Sequence, residues 1–190
     1  MWHVRRPTLA QIEAYRAAQQ ALPFTYPSVG ATREGGPTPR GFDRDRNRQR
    51  LGVGEATFRA ARAAIRAWRM FPRPLATIEP PGIPIAEGET AVVVVRLFGL
   101  WFVNSARIVY VIDEPRRFGF AYGTLPGHAE RGEERFLVEW LDDDSVWYDL
   151  DALSKPHYWA AQLAYPLTRR IQRRFARLSK AAMARAVMTG

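Results

Sequence analysis

The sequence predicts an α+β domain in which a curved antiparallel β-sheet wraps around a long C-terminal α-helix. Three observations carry this expectation. Five or six segments with strand character follow one another between residues 75 and 152, joined by turns and with no helix between them. A single long amphipathic segment follows them at the end of the chain. The length of 190 residues suits one domain with a sizeable core, taken here as residues 1–190.

The elements follow in chain order. Thr8 is placed to cap a short helix whose Leu9, Ile12 and Tyr15 fall at helical spacing and which ends before Pro23. Residues 23–54 are rich in proline, glycine and charge. They read as irregular structure packed on the rest, with one strand near Thr25–Arg33. From residue 55 to 71 a helix is expected, because Phe58, Ala61, Ile65 and Trp68 form one stripe, and Pro72 and Pro74 stop it.

The strand candidates are 75–79, the β-branched run 91–98, and 102–112, which ends in the turn residues Asp113-Glu114-Pro115-Arg116. Phe118, Phe120 and Tyr122 alternate with Arg117, Gly119 and Ala121, the period of a half-buried strand. Phe136, Val138 and Trp140 repeat it, Asp142-Asp143-Asp144-Ser145 turns the chain, and Val146, Tyr148, Leu150 and Ala152 continue. Pro156 is expected to open the last helix, with Leu163, Leu167, Ile171, Phe175, Leu178 and Ala182 on one stripe and a kink at Pro166.

Composition narrows the function classes. The net charge is +9, and there is no cysteine, which suits a reducing cytoplasm. No apolar run reaches the roughly 18 residues needed to span a bilayer. Nine acidic residues and two arginines lie between His128 and Asp151, whereas the stretch from Ala152 onward holds two Lys and six Arg and no acid. Arg169, Arg173, Arg177 and Lys180 could therefore bind nucleic acid or an anionic surface. The blander alternative, favoured here, pairs basic side chains with nearby acids such as Asp43 and Asp45. The helix aromatics fall on the apolar stripe, where a single-stranded nucleic acid could not stack on them.

A sheet gripping one helix tends to leave space between them, and six Trp, seven Tyr and ten Phe are available to line it. Trp68, Phe118, Phe120, Tyr122, Trp140 and Tyr148 are the candidate walls. Tyr122, Thr124, His128, Glu130, Glu134 and Arg135 are the candidate polar groups at the mouth. His128, two residues from Glu130, could act as a general base, so His128, Glu130, Glu134 and Tyr122 are the catalytic candidates of an enzymatic reading. The competing reading is a solid aromatic core and a solvated charged loop. No metal or cofactor is expected. His3, His128 and His157 are scattered, and Gly52-Val53-Gly54 before a helix lacks the third glycine of a dinucleotide fingerprint.

Several motifs resemble those of an uncharacterised family of bacterial and plant proteins known only as a domain of unknown function. They are Tyr26-Pro27-Ser28-Val29-Gly30-Ala31-Thr32, Leu51-Gly52-Val53-Gly54 leading to Phe58 and Trp68, and Phe120-Ala121-Tyr122-Gly123-Thr124-Leu125-Pro126-Gly127-His128. Gly132-Glu133-Glu134-Arg135-Phe136, Ser154-Lys155-Pro156 and Gln172 complete the set, with Lys155 where arginine is expected. More distantly, the element order is similar to the helix-grip fold of START-type lipid carriers and the birch pollen allergen, a superfamily that also holds polyketide cyclases. That resemblance implies a class, carriers and cyclases of small hydrophobic or amphipathic molecules, and a ligand binder is the expectation adopted here. A cyclase- or hydrolase-like activity of the Tyr122–Arg135 loop is the alternative.

Overall fold

The computed structural model describes residues 2–33, 36–156 and 165–189. Eight strands form one antiparallel sheet: β1 (Trp2–His3), β2 (Asp43–Val53), β3 (Ala76–Glu79), β4 (Thr90–Leu97), β5 (Leu100–Glu114), β6 (Arg117–Thr124), β7 (Glu130–Trp140) and β8 (Ser145–Pro156). Among the described residues three helices flank it: α1 (Leu9–Gln20), α2 (Gly54–Arg66) and α3 (Tyr165–Met188). The strand order is β2-β8-β7-β6-β5-β4-β3, with β1 paired to β5. From β3 to β8 this is a meander, so each strand neighbours the next in sequence. The long C-terminal helix α3 packs against α2, β2 and β8.

Strand β2 is the main departure from the sequence reading. Residues 43–53 were expected to be irregular, yet they pair with β8 from Asp43↔Ser154 to Val53↔Ser145. The segment lacks apolar alternation because it is an edge strand whose two faces carry opposite charge. Asp43, Asp45 and Asn47 face α3, where Arg169 Nη2 donates to Asp45 at 2.7 Å and Lys180 donates to Asn47 at 3.3 Å. Arg44, Arg46 and Arg48 face the other way, and Arg44 Nε donates to Asp151 at 2.9 Å. The period of two is present, written in charge instead of hydropathy. No strand forms over residues 25–33; that stretch runs through turns.

Both faces of the sheet are covered. On one face, α2 and α3 meet a core that includes Phe58, Ile65, Trp68, Phe118, Phe120, Phe136, Val138 and Tyr148. Each fully buried side chain of this size contributes about 1.5–3 kcal/mol. On the other face α1 lays Ile12 and Tyr15 on Val92, Val94 and Val103. Thr8 caps α1 in a reciprocal capping box with Gln11. Helix α2 ends at Arg66, earlier than expected, because Trp68 takes a left-handed backbone (φ 54°) and turns its indole under the sheet.

The C-terminal helix also differs. Pro156 closes β8 instead of opening the helix, and the described helix begins at Tyr165, with Pro166 in its first turn. Leu163 and His157 lie outside the described residues. The buried positions of α3 are Ala176, Ser179 and Met183. Phe175, Ile171, Leu178 and Ala182 are half-buried and Leu167 is exposed, so the expected stripe is rotated off the core.

Candidate functional site

The gripping face of the sheet has two ends with different contents. Under α2 the space is filled. Trp68 meets Phe120 edge-on at 4.8 Å between ring centroids and donates its indole N–H to the Ile83 carbonyl at 2.9 Å. Tyr148 bonds Ser179 of α3 at 2.8 Å. Under the N-terminal half of α3 the space is open, forming a cleft of about 680 Å³. Val93, Val95, Leu150 and Ala152 of the sheet line it, with Phe71 after α2 and Leu167, Ile171 and Phe175 of α3. Val93, Val95, Leu150 and Ala152 stand on the strands here beside the rings of Phe102 and Tyr122, while rings predominate on the strands at the filled end. That difference in volume is why one end is solid and the other hollow.

Glu130 and Glu134 of β7 are among the acidic residues that border the cleft. Glu134 Oε2 accepts the Tyr122 hydroxyl at 2.6 Å. Burial pushes the Glu134 carboxyl up to about 7, against the pull of that hydrogen bond, with Asp45 adding to the rise. Burial and the adjacent carboxylate hold the Tyr122 hydroxyl well above its ordinary value, so it stays a donor. Glu130 is also pushed up to about 7 by burial; Arg169 draws it down and Asp43 raises it. Its Oε2 is buried without a hydrogen-bond partner.

The polar candidates are only partly brought together. Tyr122, Thr124, His128, Glu130 and Glu134 border the cleft. The Thr124 hydroxyl is engaged by Thr25 at 2.6 Å and by the Gly132 N–H at 2.9 Å. His128 Nδ1 accepts the backbone N–H of Glu130 at 3.0 Å, so the histidine meets the glutamate's main chain through that atom. Arg135 faces the opposite side of the sheet, where it donates to Asp149 at 2.8 Å and to the Thr32 carbonyl at 2.9 Å. One residue along a strand reverses the face, and Arg135 follows Glu134. Among the candidate walls only Tyr122 borders the cleft. Phe118, Phe120 and Tyr148 are in the solid core, Trp140 stacks on Phe58 at 6.2 Å, and Trp68 edges a separate surface hollow beside Arg69 and Arg73. The sequence reading missed Phe71, Val93, Val95, Ile171 and Phe175. For Val93 and Val95 the usable signal was modest size on an inward-facing strand position, whereas Phe71, Ile171 and Phe175 lie off the sheet and carried no such signal.

Several of the motif residues build the outer face. Glu133 is 2% exposed and accepts four hydrogen bonds: the Tyr26 hydroxyl at 2.7 Å, the Gly30 N–H at 2.7 Å, the Thr32 N–H at 2.9 Å and the Thr32 hydroxyl. The Thr32 hydroxyl also bonds Tyr110 at 2.8 Å. A Cβ on Gly123 would overlap the Tyr26 ring, and one on Gly127 would overlap the Tyr15 hydroxyl. Gln19 of α1 accepts the Gly127 N–H at 2.8 Å and Tyr15 donates to its carbonyl at 2.8 Å. The loop from Leu125 to Ala129 is thus pinned from outside by α1.

The comparisons with known proteins agree with this architecture. The family described as Domain of unknown function (DUF1990) matches residues 25–182. A UPF0548 protein of Deinococcus radiodurans is 39% identical over 189 residues, covering 93% of this chain and 94% of its own. A UPF0548 protein of Dictyostelium discoideum is 33% identical over 195 residues, covering 92% and 90%. Among solved structures, the hypothetical protein jhp0584 of Helicobacter pylori superposes with a TM-score of 0.54 at 12% identity, covering 85% of this chain and 94% of that one. The Zhui aromatase/cyclase of a Streptomyces species superposes with a TM-score of 0.53 at 12% identity, covering 77% and 94%. At such identities the likeness is one of fold, the helix-grip arrangement.

Proposed function

The chain belongs to the DUF1990 family, and from its own cleft we propose that it binds and carries a small hydrophobic or amphipathic ligand between the sheet and helix α3. The observation that supports this most is the volume of about 680 Å³. It falls within the roughly 300–1,000 Å³ of small-molecule sites. Its walls are mostly apolar, and α3 turns Leu167, 44% exposed, and the half-buried Ile171 towards it. Leaving such side chains unpacked forgoes burial that a ligand would restore.

An enzymatic reading has one supporting feature, the Tyr122–Glu134 pair inside the cleft. A carboxyl near 7 beside a phenol is suited to proton transfer, as a cyclase- or hydrolase-like step would need. Binding of nucleic acid or an anionic surface has less to support it. Arg169 is paired with Asp45 and Lys180 with Asn47, while Arg173 and Arg177 are exposed on α3 together with Arg170, Arg174 and Arg185. Among the described residues no helix is long and apolar enough to cross a membrane.

The test is native mass spectrometry of gently purified protein, followed by solvent extraction. A stoichiometric apolar passenger is the expected result. Protein that leaves the column without a passenger, and then fails to take up any of a panel of lipids, sterols and aromatic polyketides, would count against the proposal.

A further inference from the structure

Among the described residues, the Glu130 and Glu134 carboxyl groups of the cleft form no ion pair, although the charge of Arg169 acts on Glu130. The sequence has 28 Lys and Arg against 19 Asp and Glu, and its other enclosed acids are compensated, Glu133 by four hydrogen bonds from neutral donors and others by cations. Asp151 has Arg44 at 2.5 Å, Glu79 has Arg6 at 2.8 Å and Asp45 has Arg169. Among the described residues, no basic side chain is ion-paired with Glu130 or Glu134. Glu134 has one hydrogen bond, to an uncharged phenol. Glu130 keeps an oxygen buried and unmatched. Burial already raises both carboxyls to about 7. A carboxylate removed from water without compensation is costly, and interiors normally supply a counter-charge or a set of donors.

The Tyr122 ring beside Glu134 belongs to an aromatic group. Phe71 lies 6.4 Å from Tyr122 and 5.6 Å from Phe175 between ring centroids, and all three border the cleft. A carboxylate with rings beside it is the arrangement that recognises an organic cation, through charge on one side and ring quadrupoles on the other. An anionic head group at the same place would face Glu134 and Glu130 together. A neutral hydroxyl would leave the carboxylate charge uncompensated. Arg46, Arg131, Arg173, Arg177 and Lys180 also border the cleft, and none of them is among the charges that shift Glu134.

We propose that the ligand of this cleft is an amphiphile with a protonated or quaternary amine, its nitrogen seated against Glu134, Tyr122, Phe71 and Phe175 and its apolar body along Val93 and Leu150. This rests on the ligand-binding reading of the cleft and names the class of molecule it takes.

The experiment titrates the full chain calorimetrically with three probes sharing one alkyl chain: decyltrimethylammonium, decan-1-ol and decanoate. The cation binds about tenfold more tightly than the alcohol, the difference expected of a desolvated cation–carboxylate–aromatic contact, and decanoate binds most weakly. In E134Q the ratio of cation to alcohol affinity falls to about one. A152W, which fills the cleft, removes binding of all three. Equal affinity of alcohol and cation for the unmodified protein, or an undiminished ratio in E134Q, overturns the amine assignment while the cleft remains a binding site. Binding that survives A152W, or no binding of any probe, overturns the ligand-binding reading itself and this inference with it.

Discussion

Glu133 and Glu134 are neighbours on one strand with the same side chain, and the two faces of the sheet treat them differently. Glu133 points outward into a segment that satisfies it with four hydrogen bonds. Glu134 points inward, meets one phenol, and is raised to about 7 by burial. The outer carboxylate organises structure: it gathers Tyr26, Gly30 and Thr32, and so fastens the segment after α1 to the sheet. The inner one is under-served by the fold, as groups kept for a ligand or a proton often are. The same covalent group serves two purposes, and alternation along β7 assigns them.

The largest effect that would sharpen this contrast is on stability. E133A leaves the Tyr26 hydroxyl and the Gly30 and Thr32 donors without their acceptor, and is expected to cost about 3–5 kcal/mol in urea denaturation. E134A is expected to cost under about 1 kcal/mol, since one hydrogen bond is lost and an uncompensated carboxylate goes with it. Similar losses for the two variants would break the comparison.

A smaller effect is expected at Gly132. Its φ is +148°, and a Cβ there would overlap the Leu153 carbonyl of β8, which is backbone and cannot swing away. G132A should cost about 2–3 kcal/mol by the same measurement, through overpacking and strain. A neutral result would mean that β7 and β8 can separate there freely.

The smallest effect is a pH dependence belonging to the inner carboxylate alone. The folded-state value of Glu134, about 7, lies above the ordinary 4.5, so the folded protein binds the extra proton between them. Its stabilising contribution is therefore complete below about pH 4.5 and is lost as pH rises through about 7. E134Q cannot ionise, so its stability relative to the unmodified protein should rise by on the order of 1–2 kcal/mol between about pH 5 and pH 8. Glu130 is present in both proteins and cancels from the difference. A flat difference across that range would show that Glu134 is solvated like a surface acid.

Much of the fold was legible because its signals are local. The meander from β4 to β8 follows from alternating Phe118, Phe120 and Tyr122, the repeat at Phe136, Val138 and Trp140, and the aspartate turn at 142–144. Helix α2 follows from the stripe Phe58, Ala61, Ile65 and Trp68, all of which are buried. Strand β2 was not legible by hydropathy, because its alternation lies in Asp43, Asp45 and Asn47 against Arg44, Arg46 and Arg48. Each of those charges has meaning only beside a partner on α3 or β8. The cleft was half legible. The loop that borders it could be named from its polar residues, whereas the walls could not, since large rings were expected to line space that they fill.

Taken alone, then, the order of residues determined most of the elements other than β2, their antiparallel succession and which positions share a face, because these depend on periodicity and turn chemistry within a few residues. Tertiary structure decided what lies against each face. It set α2 and its tryptophan at one end of the sheet and stood the N-terminal half of α3 off the other, leaving the cleft between. It placed the segment of residues 23–33 over Glu133 and left Glu134 open to that cleft. Those outcomes depend on side-chain volumes and charges brought together from positions about a hundred residues apart, such as Thr32 with Glu133 and Asp45 with Arg169. No local pattern encodes such pairings; packing selects them once the sheet has formed.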